Sequence, residues 1–147
     1  MKVRTFSLGA GADTVVFSSK SSADANTITN FGADDVLQFK TTSGQLFDGL
    51  ATTLDASGAL TSVGSSAVSV ASSATTVYKG TLANLAKLQG TSSFNNKVVV
   101  AVATDEGNEG IYAVTLKSTA DATSIVKVGT LTGVDLDTLT MANFAAA

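Results

Sequence analysis

The chain has 147 residues, 44% of them apolar, and a net charge of −3, so it can bury one core but has no basic excess to follow a nucleic-acid backbone. It contains neither Cys nor His, which excludes disulfides, thiolate or imidazole metal sites and the common Ser-His and Cys-His triads. Gly, Ala, Ser and Thr make up 73 residues and Pro is absent, so small packing units and backbone pairing must carry the fold.

Three zones follow one another within a single expected domain, 1–147. In the first, 1–39, short alternating runs bounded by Gly, Asp and Ser predict strands at Thr14–Phe17, Asn26–Phe31 and Val36–Phe39. The middle, 40–90, is rich in Ser, Thr and Ala and predicts short helices near Gly44–Leu54 and Leu82–Leu88. The second of these has Thr81 as N-cap, leucines at 82, 85 and 88, and Gly90 as its stop. Between them Ala67–Val70 and Thr75–Tyr78 read as strands. In the third zone, 91–147, VVVAVAT (Val98–Thr104) and IYAVTLK (Ile111–Lys117) flank DEGNEG, which predicts a hairpin. SIVKVGTL (Ser124–Leu131) follows as a third strand of an antiparallel sheet. DLDTLTMANF then predicts a helical turn capped by Asp135 or Asp137, before the small tail Ala145–Ala147.

No apolar stretch approaches the ~20 residues that span a bilayer, so membrane insertion is not expected. TFSLGAGA, after Lys2 and Arg4, is too short and weak for a signal-peptide core, and any export information is expected elsewhere.

Ten of the twelve acidic residues are Asp, the carboxylate of turns and of hard-cation sites. LGAGADTVVF (Leu8–Phe17) places two glycines, an aspartate and two apolar residues in a spacing that asks for a ligand or a turn. A dinucleotide site needs a third glycine and a following helix, but here Thr14 begins a strand-like run. The calcium-binding pattern G-G-x-G-x-D-x-U-x fits better, with Gly9, Gly11, Asp13 and Val15 at its second, fourth, sixth and eighth positions. Glycines let the chain turn tightly and aim carbonyls inward, the aspartate supplies charged oxygen, and the apolar residue anchors a strand. Asp13-Thr-Val15-Val-Phe17 also echoes Asp35-Val-Leu37-Gln-Phe39 at an offset of 22. On the residues alone, Asp13 and Asp35 are either cation ligands or caps of their own turns. DEGNEG is a second candidate, through Asp105, Asn108 and Glu109, or a solvated hairpin turn.

GAGADTVVF followed by DANTITNFGADDVLQF resembles the C-terminal region of RTX-type (hemolysin-type calcium-binding) bacterial proteins exported by type I secretion. The end of the chain, GTLTGVDLDTLTMANF, resembles the uncleaved C-terminal secretion signal of that family. The resemblance covers about half of the chain, its two ends; Leu8 and Ala33 stand where the family usually has glycine. It implies calcium held by the carbonyls of Gly9 and Gly11 and the carboxylates of Asp13 and Asp35, with Asp24, Asn30 and Asp34 as further ligands. The implied fold is mainly β. A short calcium-binding β-roll, or parallel β-helix-like part, merges into an antiparallel sandwich with one or two short helices.

No catalytic group set emerges, and the nine aromatics sit mostly at core-like positions, so an enzyme is not expected and a glycan-binding sandwich is disfavoured. The leading expectation is a secreted, calcium-dependent structural protein that assembles with itself into extracellular fibres, biofilm matrix or a surface layer. Its partners would be other copies of itself and the type I secretion machinery. The alternative is the C-terminal secretion and folding module of a larger RTX adhesin or enzyme, which would not assemble by itself.

Overall fold

The computed structural model describes residues 5–17, 26–41, 47, 50, 54–55, 57–70, 76–92, 97–105, 107–118 and 120–146. The fold is mainly β and is organised by one antiparallel meander. VVVAVATD forms β9 (Val98–Asp105), NEGIYAVTLK forms β10 (Asn108–Lys117) and ADATSIVKVGTL forms β11 (Ala120–Leu131). The sequence of β9 is apolar at nearly every position because both faces of this meander are covered. Val98, Val100 and Val102 enter one core, while Val99, Ala101 and Ala103 enter the other.

Shorter strands extend the meander on both sides. β3 (Asn26–Thr29) pairs with β11 and β1 (Thr5–Ser7) pairs with β3, both in parallel. On the other side β7 (Tyr78–Gly80) pairs with β9 and β5 (Thr61–Ser62) pairs with β7, also in parallel. The sheet order is therefore β1-β3-β11-β10-β9-β7-β5. Since β10 is antiparallel to both β9 and β11, six strands point one way and β10 alone reverses.

Parallel neighbours cannot be joined by a tight turn, so the chain must leave the sheet between them. On the first flank it does so through a second layer of three parallel strands, β2 (Thr14–Phe17), β4 (Val36–Phe39) and β12 (Phe144–Ala146), in the order β12-β4-β2. Their registers pair Phe17 with Phe39, and Thr5 with Thr27 in the layer below, so both layers keep the same 22-residue offset. Residues 5–17 and 26–39 thus form two strand–corner–strand units stacked one on the other. Phe39 lies between the parallel rings of Phe17 (5.2 Å) and Phe144 (6.3 Å) and meets Phe47 edge-on at 4.8 Å.

On the second flank the outer layer lies on the opposite face. It consists of β6 (Val68–Ser69) paired in parallel with β8 (Leu88–Gln89), plus the single-turn helix α1 (Leu82–Leu85). Thr81 caps α1 by accepting the Asn84 N–H at 3.2 Å. Gly80 belongs where the chain enters that helix: a Cβ there would lie 2.9 Å from the Val63 carbonyl oxygen of the neighbouring segment.

Several elements differ from the sequence reading. The strand expected at Thr75–Tyr78 is Tyr78–Gly80, and the one expected at Asn26–Phe31 ends at Thr29. The helix over Leu82–Leu88 stops at Leu85, and Leu88 reaches the core as a strand residue. The turn expected at DEGNEG is shorter, because Asp105 and Asn108 already pair and Gly107 takes the positive φ of 81°. The tail Phe144–Ala146 is a strand, preceded by 3-10 turns at Leu136–Thr138 and Met141–Asn143. Asp135 caps the first of these turns, as expected, accepting the Asp137 N–H at 3.1 Å. Most of the helix expected at Gly44–Leu54 lies outside the described residues.

Candidate functional site

The two stacked units of the first flank share a corner built on aspartate. In the unit 26–39, Gly32 to Asp35 form a tight turn in which the Asp35 N–H donates to the Gly32 carbonyl at 3.1 Å. The Asp35 side chain is 3% exposed, and both its oxygens face backbone amides. Its Oδ2 accepts the Gly32 N–H at 2.8 Å and its Oδ1 accepts the Asp13 N–H of the next unit at 2.9 Å. Asp13 answers by accepting the Val36 N–H on its carbonyl at 2.9 Å. A buried carboxylate is costly unless fully hydrogen-bonded, and here two amides meet that requirement. Asp35 therefore clamps unit to unit.

Asn143 clamps the same corner from the other side. It is 3% exposed, and its Nδ2 donates toward the carbonyls of Asp35 (3.0 Å), Ala33 (3.3 Å) and Gly32 (3.4 Å). Its Oδ1 accepts the Thr140 N–H at 3.1 Å, which fixes the amide's orientation. Side chain thus reaches backbone in one direction across the stack, from Asn143 to the 32–35 corner and from Asp35 to Asp13.

Asp13 ends that series. It occupies the position equivalent to Asp35, yet its Oδ2 is buried and has no hydrogen-bond partner. No described strand stacks on the outer side of its unit, since β1 and β2 are both edge strands. The corner residues Gly9 and Gly11 are exposed, and a Cβ at either would meet nothing within 4 Å. Gly11 has φ 93°, the left-handed conformation that glycine adopts without strain. One free carboxylate oxygen beside an open glycine corner can accept a backbone or side-chain donor, or ligate a hard cation.

The other expected ligands are dispersed around this corner. Asn30 has φ 61° and its Nδ2 donates to Ser7 Oγ at 2.8 Å, so it joins the first corner to the second. Asp34 is exposed at the tip of the 32–35 turn. Asp24 lies outside the described residues. Among the described residues, no three of Asp, Glu, His or Cys come together as a metal cluster.

The DEGNEG candidates form a different arrangement. Glu109 is 5% exposed, and the Thr104 hydroxyl of the paired strand lies 3.0 and 3.2 Å from its two oxygens. Asn108 is half-buried opposite the Asp105 backbone.

Two features were not expected from the sequence. Asn143 is one. The other is a mostly apolar groove of about 350 Å³ at the outer end of the first flank, lined by Phe6, Leu8, Val15, Val16, Phe17 and Ile28 together with Thr14 and Asn26. Phe6 pairs in register with the buried Ile28, so it faces the same core, yet it is 44% exposed. Val16 on β2, 47% exposed, points away from that core, because its neighbours Val15 and Phe17 pack against it. The exposure of Phe6 leaves the first core open at this end.

Comparison with known proteins returned no matching family model, no matching curated protein and no matching solved structure. No described helix is long and apolar enough to cross a membrane.

Proposed function

We propose that the chain is a secreted, non-catalytic structural protein that binds calcium and assembles with itself into an extracellular fibre, biofilm matrix or surface layer when calcium is present. The observation that carries this reading is the unpaired, buried Oδ2 of Asp13 on the outermost unit of the first flank. A buried acceptor without a donor costs about 1–3 kcal/mol, and a divalent cation removes that cost. The Gly9 and Gly11 carbonyls and the side chains of Asn30 and Asp34 are the further oxygen donors expected from the sequence, but among the described residues no three acidic side chains come together, which is few for a calcium site. A neighbouring copy supplies what is missing. Binding of that kind couples calcium to assembly and keeps the protein unassembled where calcium is scarce, through mass action. The resemblance of both chain ends to RTX-type proteins supports export by type I secretion.

The test is a thermal melt in chelator and at about 1 mM calcium, the affinity range of extracellular calcium modules, read beside a sizing column. The parent should melt higher and elute larger in calcium. Asp13→Ala should be at least as stable as the parent in chelator, because it removes the buried Oδ2 that has no partner, and should lose the calcium shift. Equal calcium shifts in parent and variant would remove the site. A monodisperse monomer under both conditions would remove assembly.

A further inference from the structure

Resting on the assembly reading above, we propose that the joint between copies is parallel pairing of β1 of one molecule with β5 of the next. The two strands are the opposite edges of the seven-stranded sheet. They run in the same direction, because β1, β3 and β11 are mutually parallel, β9 shares that direction through β10, and β7 and β5 follow β9. A second copy displaced along the sheet without being turned over therefore brings its β5 beside β1 in the parallel sense that both flanks already use. Such a contact joins two different surfaces, does not close, and repeats into a filament.

The character of the two ends fits this choice. β1 is TFS and β5 is TS; both edges are short, but neither strand carries the lysine, proline or inward-pointing charge that natural edges also use against strand addition. The β1 end is the open end of the first core, where Phe6 is exposed and the groove lies. A stack of units needs a polar outer face where it stops, and at this end the exposed Phe6 interrupts that face between Thr5 and Ser7. The β5 end is finished differently. Leu60 and Val63 are buried, and Thr61, Ser62 and the small residues Ser57, Gly58 and Ala59 form the surface. Leu60 belongs to the same core that Phe6 faces, and the Gly58 carbonyl accepts the N–H of Met141, another residue of that core. A continued sheet thus sets the Phe6 ring against the small residues leading into the next copy's β5. Pairing β1 with another β1 about a two-fold axis would be antiparallel, would close as a dimer, and would leave both β5 edges unpaired.

The absence of cysteine allows a direct test. Thr5→Cys and Ser62→Cys, both at exposed positions, are prepared singly, mixed in calcium, and treated with a short bis-maleimide. The proposal expects covalent dimers from the mixture, none from either variant alone, and a ladder of covalent oligomers from the double variant. Dimers from Thr5→Cys alone would overturn it in favour of a closed two-fold contact. Calcium-grown filaments visible by electron microscopy, but with no cross-link in the mixture, would overturn the β1–β5 joint and leave the assembly reading intact. Absence of both filaments and cross-links would remove the assembly reading itself.

Discussion

On the β11 side of the central meander the stacked strands close over aromatic rings, whereas on the β9 side they close over aliphatic side chains and one turn of helix. The first flank stacks Phe17, Phe39 and Phe144 along three parallel strands, and its corner is locked by the Asp35 carboxylate and the Asn143 amide. The second buries Val63, Val70, Leu85 and Leu88, and its corner is locked by a neutral contact, Asn84 Nδ2 donating to the Val63 carbonyl at 3.2 Å. Both flanks answer the same demand, since parallel strands send the chain out of the sheet and its corner carbonyls need donors. An asparagine meets that demand on each side. What differs is the outer end: the second flank stops on a polar surface, while the first stops on an exposed Phe6 and an unpaired carboxylate oxygen. A finished end and an unfinished end in one chain are what directional association requires.

The two flanks should differ most in their cores. Phe39 is fully buried and contacts three other rings, so Phe39→Ala should cost about 4 kcal/mol, while Leu88→Ala in the second core should cost about 3 kcal/mol. Urea denaturation of both variants measures the difference. If Leu88→Ala proved the more damaging, the second flank would be the stability centre and the aromatic stack secondary.

The corners separate next. Asp35→Ala leaves the amides of Asp13 and Gly32 without their acceptor and should cost about 3 kcal/mol, against about 1 kcal/mol for Asn84→Ala, which removes one neutral hydrogen bond. Asp35→Asn should fall between, because its amide oxygen keeps one of the two amides. Equal losses at Asp35 and Asn84 in the same denaturation experiment would mean that the carboxylate clamp adds nothing beyond an ordinary turn.

The sequence exposes the first flank better than the second, for a physical reason. Thr14–Phe17 and Val36–Phe39 fold as strands over the residues expected, because alternation bounded by Asp on one side is a local signal. The 22-residue echo of Asp13 and Asp35 also marks two residues that do meet, since a stacked unit repeats the corner that made the previous one. In the second flank, leucines at 82, 85 and 88 satisfy a helix face, yet the last is held by parallel pairing with Val68, a contact that no local pattern announces. The same limit hides Asn143, whose carbonyl partners lie about 110 residues earlier. Parallel order itself leaves almost no local trace, so an antiparallel reading of the third zone describes the meander and misses its extensions.

The smallest expected effect concerns alkaline pH on the second flank. Tyr78 sits between Thr61 and Ala101 in the sheet, is 7% exposed, and burial raises its phenol above the ordinary value of 10.0. Below pH 10 the phenol is neutral in both folded and unfolded chains, and its ionisation does not alter stability. As pH climbs above 10 the unfolded phenol ionises first, so the unfolded state binds fewer protons and the folded state loses stability. The loss ends only once pH has passed the raised value, where the folded chain also ionises. Tyr78→Phe keeps the ring in its core but removes this sensitivity. Its melting temperature should fall less steeply than the parent's above pH 10, and the two curves should run parallel below it. Parallel curves throughout would mean that Tyr78 reaches water readily, and that the second flank is no better closed than the open end of the first.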